Sequence, residues 1–259
     1  MGDQNLLIEI TDGIKVITIN RPKALNAFNF QVTTDLENAI TSGEADDEVK
    51  VMVITGAGRA FVAGADIAEM VDKDGDFQES KSRHDHECFL KIVNCTKPII
   101  AAINGFAIGA GCELAMCCHI RVASENAFFA QPEISIGAIP GGGGTQTLPR
   151  HIGKGPAIYY LLTGENIPAQ EAYRLGLIDK IVRHDEVMVT AMAIAKVIVR
   201  KAPIARRLIM EGVNKGMELD LKSGFTLEEK LWKKCGDSED FKNAMRSFIE
   251  KKPIVFQGR

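Results

Sequence analysis

No run of roughly 18 apolar residues occurs in the sequence, so no membrane-spanning helix is expected. Neither sign of charge predominates. The 31 basic and 34 acidic residues are well mixed, leaving a net charge of −3. Without a basic stripe, nucleic-acid binding has no electrostatic support. The opening MGDQNLLIEI has no basic segment leading into an apolar one, so no secretory signal is expected. Leu6 stands where a myristoylation pattern needs Ser or Thr. None of the six cysteines form CxxC. Cys112, Cys117 and Cys118 lie in an apolar segment and read as small core residues in a reducing, cytoplasmic compartment. Cys117 and Cys118 are adjacent and face different sides of a helix, so a metal site with His119 is not expected. VITGAGRAF and INGFAIGAGCEL follow strands, but neither completes GxGxxG and neither holds the GK[ST] of a phosphate loop, so no nucleotide site is expected. Internal repeats, low-complexity stretches and long linkers are also missing.

What is present is an alternation of strands and helices over about 180 residues, followed by a helical tail, which argues an α/β fold. LLIEI and IKVITIN read as two strands around Asp12-Gly13. FQVTTDLENAITSG reads as a helix ending near Gly43. VKVMVITG and KPIIAAIN, continuous apolar runs, read as buried strands. AGRAFVAGAD reads as a loop, residues 72–80 as an exposed loop around Gly75, and IPGGGGTQTLPR as a glycine-rich connection in which Gly141 to Gly144 adopt unusual dihedrals. HDHE at 84–87 reads as a solvated helix surface, because residues at i and i+2 do not share a helix face and cannot easily meet one metal ion. From Asp185 to Glu250 the pattern is almost wholly helical, with Pro203 in the first turn of a new helix.

The run AIGAGCELAMCC poses a chemical question. Glu113 is a lone carboxylate among small and apolar residues, and a buried charge requires a partner or a shifted pKa. It lies three residues after Ala110 at a helix start, so the two share a face. The Ala110 N–H lies where helix donors have no internal partner, and an anion there is favoured by the free N–H and the helix dipole. The same position also suits an ordinary first-turn Glu, and these residues alone do not decide between the two. Glu133, in AQPEISIG, follows a short strand. Two carboxylates at one site repel, one then retains a proton near neutral pH, and such a pair can do acid and base work. Spacing alone does not bring Glu113 and Glu133 together.

INRPKALNAF, FVAGADIAEM, KPIIAAINGFAIGAGCELAMCC, FFAQPEISIGAIPGGGGTQTLPR and LTGENIPAQEAYRLGLIDKIV, in this order and spacing, resemble the enoyl-CoA hydratase (crotonase) family over nearly the whole chain. The resemblance implies a spiral of ββα units over residues 1–195 and a helical trimerisation region over 196–259, with a homotrimer or dimer of trimers as the assembly. It implies an oxyanion hole from the N–H groups of Ala65 and Ala110, and identifies Glu113 and Glu133 with the two acids that hold water over a 2-enoyl thioester. Lys23, Ala24, Leu25, Ala63, Asp66 and Ile67 correspond to residues lining CoA; Phe248 and Lys251 correspond to tail residues reaching CoA across a subunit boundary. The implied activity is hydration of 2-enoyl-CoA or the reverse dehydration, of the kind used in fatty-acid β-oxidation. CoA is carried by the substrate, and no metal or other cofactor is implied.

Three departures stand out. Ala110 replaces the usual Gly, which would cost about 1 kcal/mol or more if φ there were positive. His119 replaces an Asp, and Thr147 replaces an Arg. Competing readings are another crotonase-fold activity (isomerase, thioester hydrolase, decarboxylase or cyclic dienoyl-CoA hydratase) and a non-enzymatic RNA-binding or scaffold role. Retention of both acids argues against an isomerase, and the balanced charge against RNA.

Overall fold

The structure, a computed structural model, describes residues 4–259. The expected hairpin is present. β1 (Leu6–Thr11) and β2 (Ile14–Ile19) pair antiparallel, and Asp12 and Gly13 both take positive φ, 53° and 77°, as a two-residue hairpin turn requires. α1 (Phe30–Ala45) follows, its N-terminus closed by the Asn29 side chain accepting from the Val32 amide. Next come β3 (Val51–Gly56), β4 (Ala60–Ala63), α2 (Ile67–Met70) and α3 (Gly75–Val93), then β5 (Ile99–Ile103), β6 (Phe106–Ile108) and α4 (Ala110–Cys117). β7 (Ile120–Ser124) and β8 (Phe128–Ala130) lead to a 3-10 turn at Glu133–Ile136. The rest comprises α5 (Gly144–Ile152), α6 (Lys154–Thr163), β9 (Ile167–Pro168), α7 (Ala169–Leu175), β10 (Lys180–Val182), α8 (Val187–Val199), α9 (Pro203–Gly216), α10 (Leu221–Asp237) and α11 (Glu239–Ile249).

The strands form two sheets, ordered β1-β2-β3-β5-β7-β10 and β4-β6-β8-β9. In the three successive pairs β3-β4, β5-β6 and β7-β8, the first strand goes to the large sheet and the second to the small one. This is the ββα spiral that the resemblance implied. The continuous apolar strands are explained by burial on both faces. Met52, Ile54, Ile99, Ala101 and Ile103 point into the spiral. Their alternate neighbours Val51, Val53, Ile100 and Ala102 pack under Val187, Ala191 and Ala195 of α8. Each such Val or Ile contributes about 1.5–3 kcal/mol.

Four segments differ from the expectations. AGRAFVAGAD contains β4, a four-residue strand buried on successive residues, so it carries no alternation. α3 starts at Gly75 inside the expected exposed loop, because Asp74 accepts from the Phe77 amide and caps it. The glycine-rich connection becomes α5 from Gly144, with Pro149 inside the helix. HDHE is not wholly solvated: Asp85 is buried, bonded to Lys81 and Thr33, while His86 and Glu87 are exposed.

Gly111 marks the closest approach of α4 to β4, since a Cβ there would lie 2.1 Å from Val62 O. Gly111→Ala is expected to destabilise the protein by about 3 kcal/mol through overpacking. Gly155→Ala, which meets nothing within 4 Å in α6, should instead stabilise by about 0.5–1 kcal/mol. Urea midpoints at constant m-value check both signs.

Candidate active site

The site is built by register. In the small sheet Ala63 pairs with Ile108, and Ile108 with Ala130, all parallel. The residues that follow therefore emerge side by side: Gly64-Ala65 from β4, Gly109-Ala110 from β6, and Gln131 to Glu133 from β8. Gly109 turns sharply, with φ 51° and ψ −121°. A Cβ on it would lie 3.6 Å from Gly64 Cα and 2.8 Å from Glu133 Oε1. Glycine at this point is what lets the three segments meet. The positive φ belongs to Gly109 and not to Ala110, so Ala110 enters the helix without the backbone strain its methyl would otherwise carry.

Two amides beside this meeting point have no acceptor among the described residues. The Phe28 amide donates to Gly64 O and the Asp66 amide to Phe28 O. That bridge pins the peptide on either side of Ala65 and leaves the Ala65 N–H with no acceptor among the described residues. Ala110 is the first residue of α4, and its N–H is likewise unpartnered among them, as expected of a helix first turn. Gly109 O accepts from the Glu113 amide at 3.0 Å and from Gln131 Nε2 at 3.3 Å, which fixes the peptide plane that carries the Ala110 N–H.

Glu113 lies one turn into α4 and is 2% exposed. Its Oε1 accepts from the amides of Gly142 at 2.9 Å and Gly144 at 2.7 Å. Its Oε2 accepts no hydrogen bond among the described residues. The glycine run is thus an anion cradle whose anion is a side chain of the same protein. Gly143 supplies the unusual dihedral, φ 105°. Gly142 is needed for space, because a Cβ there would meet Glu113 Oε2 at 2.5 Å and Phe89 Cε2 at 2.8 Å. Neither amide donor was legible beforehand, since glycine runs carry no side-chain signal.

Burial pushes the Glu113 carboxyl up to about 8, opposed by the two amides and reinforced by the charges of Glu133 and Asp85. Burial also raises Glu133, whose Oε2 is buried without a partner among the described residues. With Glu113 near 8 and in the field of Glu133, the pair retains a proton at neutral pH. Among the described residues no group of three His, Cys, Asp or Glu is placed to hold a metal ion.

Most of the other expected site residues gather next to this centre. Lys23 and Ala24 lie in a 3-10 turn ended by Leu25 in the left-handed region, φ 50°. Leu25 O accepts from the Ala63 amide at 3.0 Å, and Arg21 Nη2 reaches Asp66 at 3.1 Å. Asn26, which the sequence reading passed over, staples the same segment to β4 by donating to Ala60 O and Phe61 O. A cleft of about 400 Å³ lined by Asn5, Asn20, Arg21, Pro22, Lys23 and Ala24 opens beside it. Ile67, 54% exposed, begins α2 at the rim. Phe248 and Lys251 are not brought to this centre by the single chain. They lie at the end of α11, which packs mainly on α10, and Phe248 is 75% exposed.

The architecture is a crotonase fold. A family model described as enoyl-CoA hydratase/isomerase matches residues 9–259. The short-chain-enoyl-CoA hydratase of Clostridium acetobutylicum is 44% identical over 96% of both chains. The crotonyl-CoA hydratase of Syntrophomonas wolfei is 40% identical over 99% of both. A crystal structure of enoyl-CoA hydratase from Bacillus anthracis superimposes with a TM-score of 0.95, at 32% identity, covering 99% of this chain and 100% of that one. The chain belongs to the enoyl-CoA hydratase/isomerase family.

The raised Glu113 has a stability signature. Its folded pKa, about 8, lies above the ordinary carboxylate value of 4.5. Its contribution is therefore full below the unfolded value and is lost as pH rises through the folded one. Glu113→Gln, which cannot ionise, should gain in Tm over the wild type between pH 5 and pH 8, at about 2–4 °C per kcal/mol for a chain of this length. Calorimetry at the two pH values checks it; a constant difference would contradict the raised pKa.

Proposed function

We propose that the protein hydrates 2-enoyl-CoA thioesters to 3-hydroxyacyl-CoA, and catalyses the reverse dehydration at the same site. The observation that carries this reading is the meeting of two unpartnered amides, Ala65 and Ala110, with two carboxylates, Glu113 and Glu133. Addition of water to the conjugated double bond places negative charge on the thioester oxygen. Two fixed N–H donors aimed at that oxygen lower the barrier, each by about 3 kcal/mol in comparable sites.

Water bonds through its oxygen to C3 while the π pair moves toward C2 and the carbonyl oxygen. Glu113, with Oε1 held by two amides and Oε2 free, takes the proton from water. In the reactive form the pair's single proton lies on Glu133, whose Oε2 has no donor among the described residues to stabilise an anion, leaving Glu113 ionised; Glu133 delivers that proton to C2. The carboxyls then exchange the proton to restore the starting state. The retention of both acids favours this over an isomerase. The amides do the polarising, so no cofactor is called on beyond the CoA carried by the substrate.

Lys23, Ala24 and Leu25, with Ala63, Asp66 and Ile67, are proposed to line the CoA portion. Phe248 and Lys251 would reach CoA from a neighbouring subunit of a homotrimer or dimer of trimers. Exposed apolar residues of the tail support that assembly, among them Ile209, Val213, Met217, Phe225 and Trp232. The division into a catalytic part, 1–195, and an assembly part, 196–259, belongs to the same proposal. No helix among the described residues is long and apolar enough to cross a membrane. A cytoplasmic setting suits six cysteines that are all free thiols.

The test is loss of the enoyl-thioester absorbance of crotonyl-CoA without added cofactor. Glu113→Gln and Glu133→Gln should each lower kcat by about 100-fold or more. The wild-type kcat/KM should fall on the alkaline side through about pH 8, as the pair loses its last proton. Normal hydration by Glu133→Gln would overturn the acid assignment.

A further inference from the structure

α3 touches the glycine run at two successive points. Ser82 Oγ donates to Gly141 O at 2.6 Å. The Phe89 ring fills the space beside Gly142, where a Cβ would come within 2.8 Å of it. One residue on from Gly141 is the Gly142 amide that holds Glu113 Oε1. The height of α3 is itself set by a buried tie to α1. Lys81 Nζ bonds both oxygens of Asp85 at 2.6 and 2.5 Å, and Asp85 Oδ1 also accepts from Thr33 Oγ1 at 2.8 Å. Lys81 and Asp85 are 2% and 5% exposed, so the pair cannot drift without leaving a buried charge unpaired. Ser82 adjoins Lys81 and inherits that fixed position.

We propose that Ser82 is a positioning residue for Glu113: its hydroxyl latches α3 to the glycine run and so aims the Gly142 and Gly144 amides at the carboxylate. This rests on the proposed function for its kinetic consequence, but the latch itself is a property of the chain alone. The groups that set the charge at Glu113 are Glu133 on the turn after β8, Asp85 with its partner Lys81 on α3, and the neighbouring thiols Cys112 and Cys117 on α4 itself. None of these changes when Ser82 is replaced, so a shift in the pH profile reports the amides.

The experiment compares wild type, Ser82→Ala and Ser82→Thr in the full chain. Amide hydrogen exchange, read without substrate, should quicken at Gly142 and Gly144 in Ser82→Ala and return to wild-type rates in Ser82→Thr. With crotonyl-CoA, Ser82→Ala should lower kcat about tenfold while KM stays within about twofold, because a misaimed group costs rate more than binding. Both limbs of its pH profile should move to higher pH, as loss of carboxylate donors favours the protonated form. Unchanged exchange at Gly142 and Gly144 would overturn the latch. Quickened exchange with unchanged kcat and pH limbs would overturn its link to Glu113. A wild type inert toward crotonyl-CoA would sink the proposed function and leave the exchange result standing.

Discussion

The parallel register that sets Ala63, Ile108 and Ala130 abreast is the constraint on which the rest of the molecule depends. Neighbouring strands lie about 4.8 Å apart, so chain segments leaving them in register start out within reach of one small substrate group. One residue of slip in β6 would carry Gly109 away from Glu133 and turn the Ala110 N–H elsewhere. The spiral secures that register from outside. The large sheet, sealed by α8 on one face and the core on the other, fixes the spacing between successive turns. The small sheet inherits that spacing and presents three strand ends to the site.

Electrostatics then follows from geometry. The small, apolar surroundings of α4 would make an ionised Glu113 costly. The fold answers with two main-chain donors from a run of glycines, placed where a methyl group would collide with the carboxylate. The outcome is an acid poised near neutrality instead of a fixed charge, and a second acid whose buried oxygen has no partner among the described residues. Backbone donors suit this task because they do not titrate and reorganise little. The peptide between Gly109 and Ala110 serves twice, with its carbonyl tied down by Glu113 and Gln131 and its N–H left free.

Much of this was legible in the sequence, but unevenly. Glu113 was conspicuous as a single acid in an apolar run, and its place at a helix start was readable from the glycines before it, but that place equally suited an ordinary first-turn Glu. The buried strands β3 and β5 announced themselves by unbroken hydrophobicity. The meeting of Ala65 with Ala110 was not readable from spacing, since register between β4 and β6 is a tertiary fact; only the family resemblance pointed to it. β4 was hidden because a four-residue strand buried on successive residues shows no alternation. The start of α3 was hidden because its first turns are polar and depend on the Asp74 cap, and Asp85 looked like surface because its partners Lys81 and Thr33 come from one turn earlier and from another helix. The amides of Gly142 and Gly144 left no trace at all, as backbone groups have no letter of their own.

The central claim is that the amides of Ala65 and Ala110 hold one oxygen atom while Glu113 and Glu133 flank the adjoining carbons. A crystal structure with acetoacetyl-CoA bound, a 3-oxo thioester that cannot be hydrated in the same way, tests it most directly. The account predicts the thioester oxygen at about 3 Å from both amide nitrogens, with the two carboxylates on the C2 and C3 side of the acyl chain. A thioester oxygen bonded to any other donor, or a bound acyl group with only one of the two carboxylates near it, would contradict it.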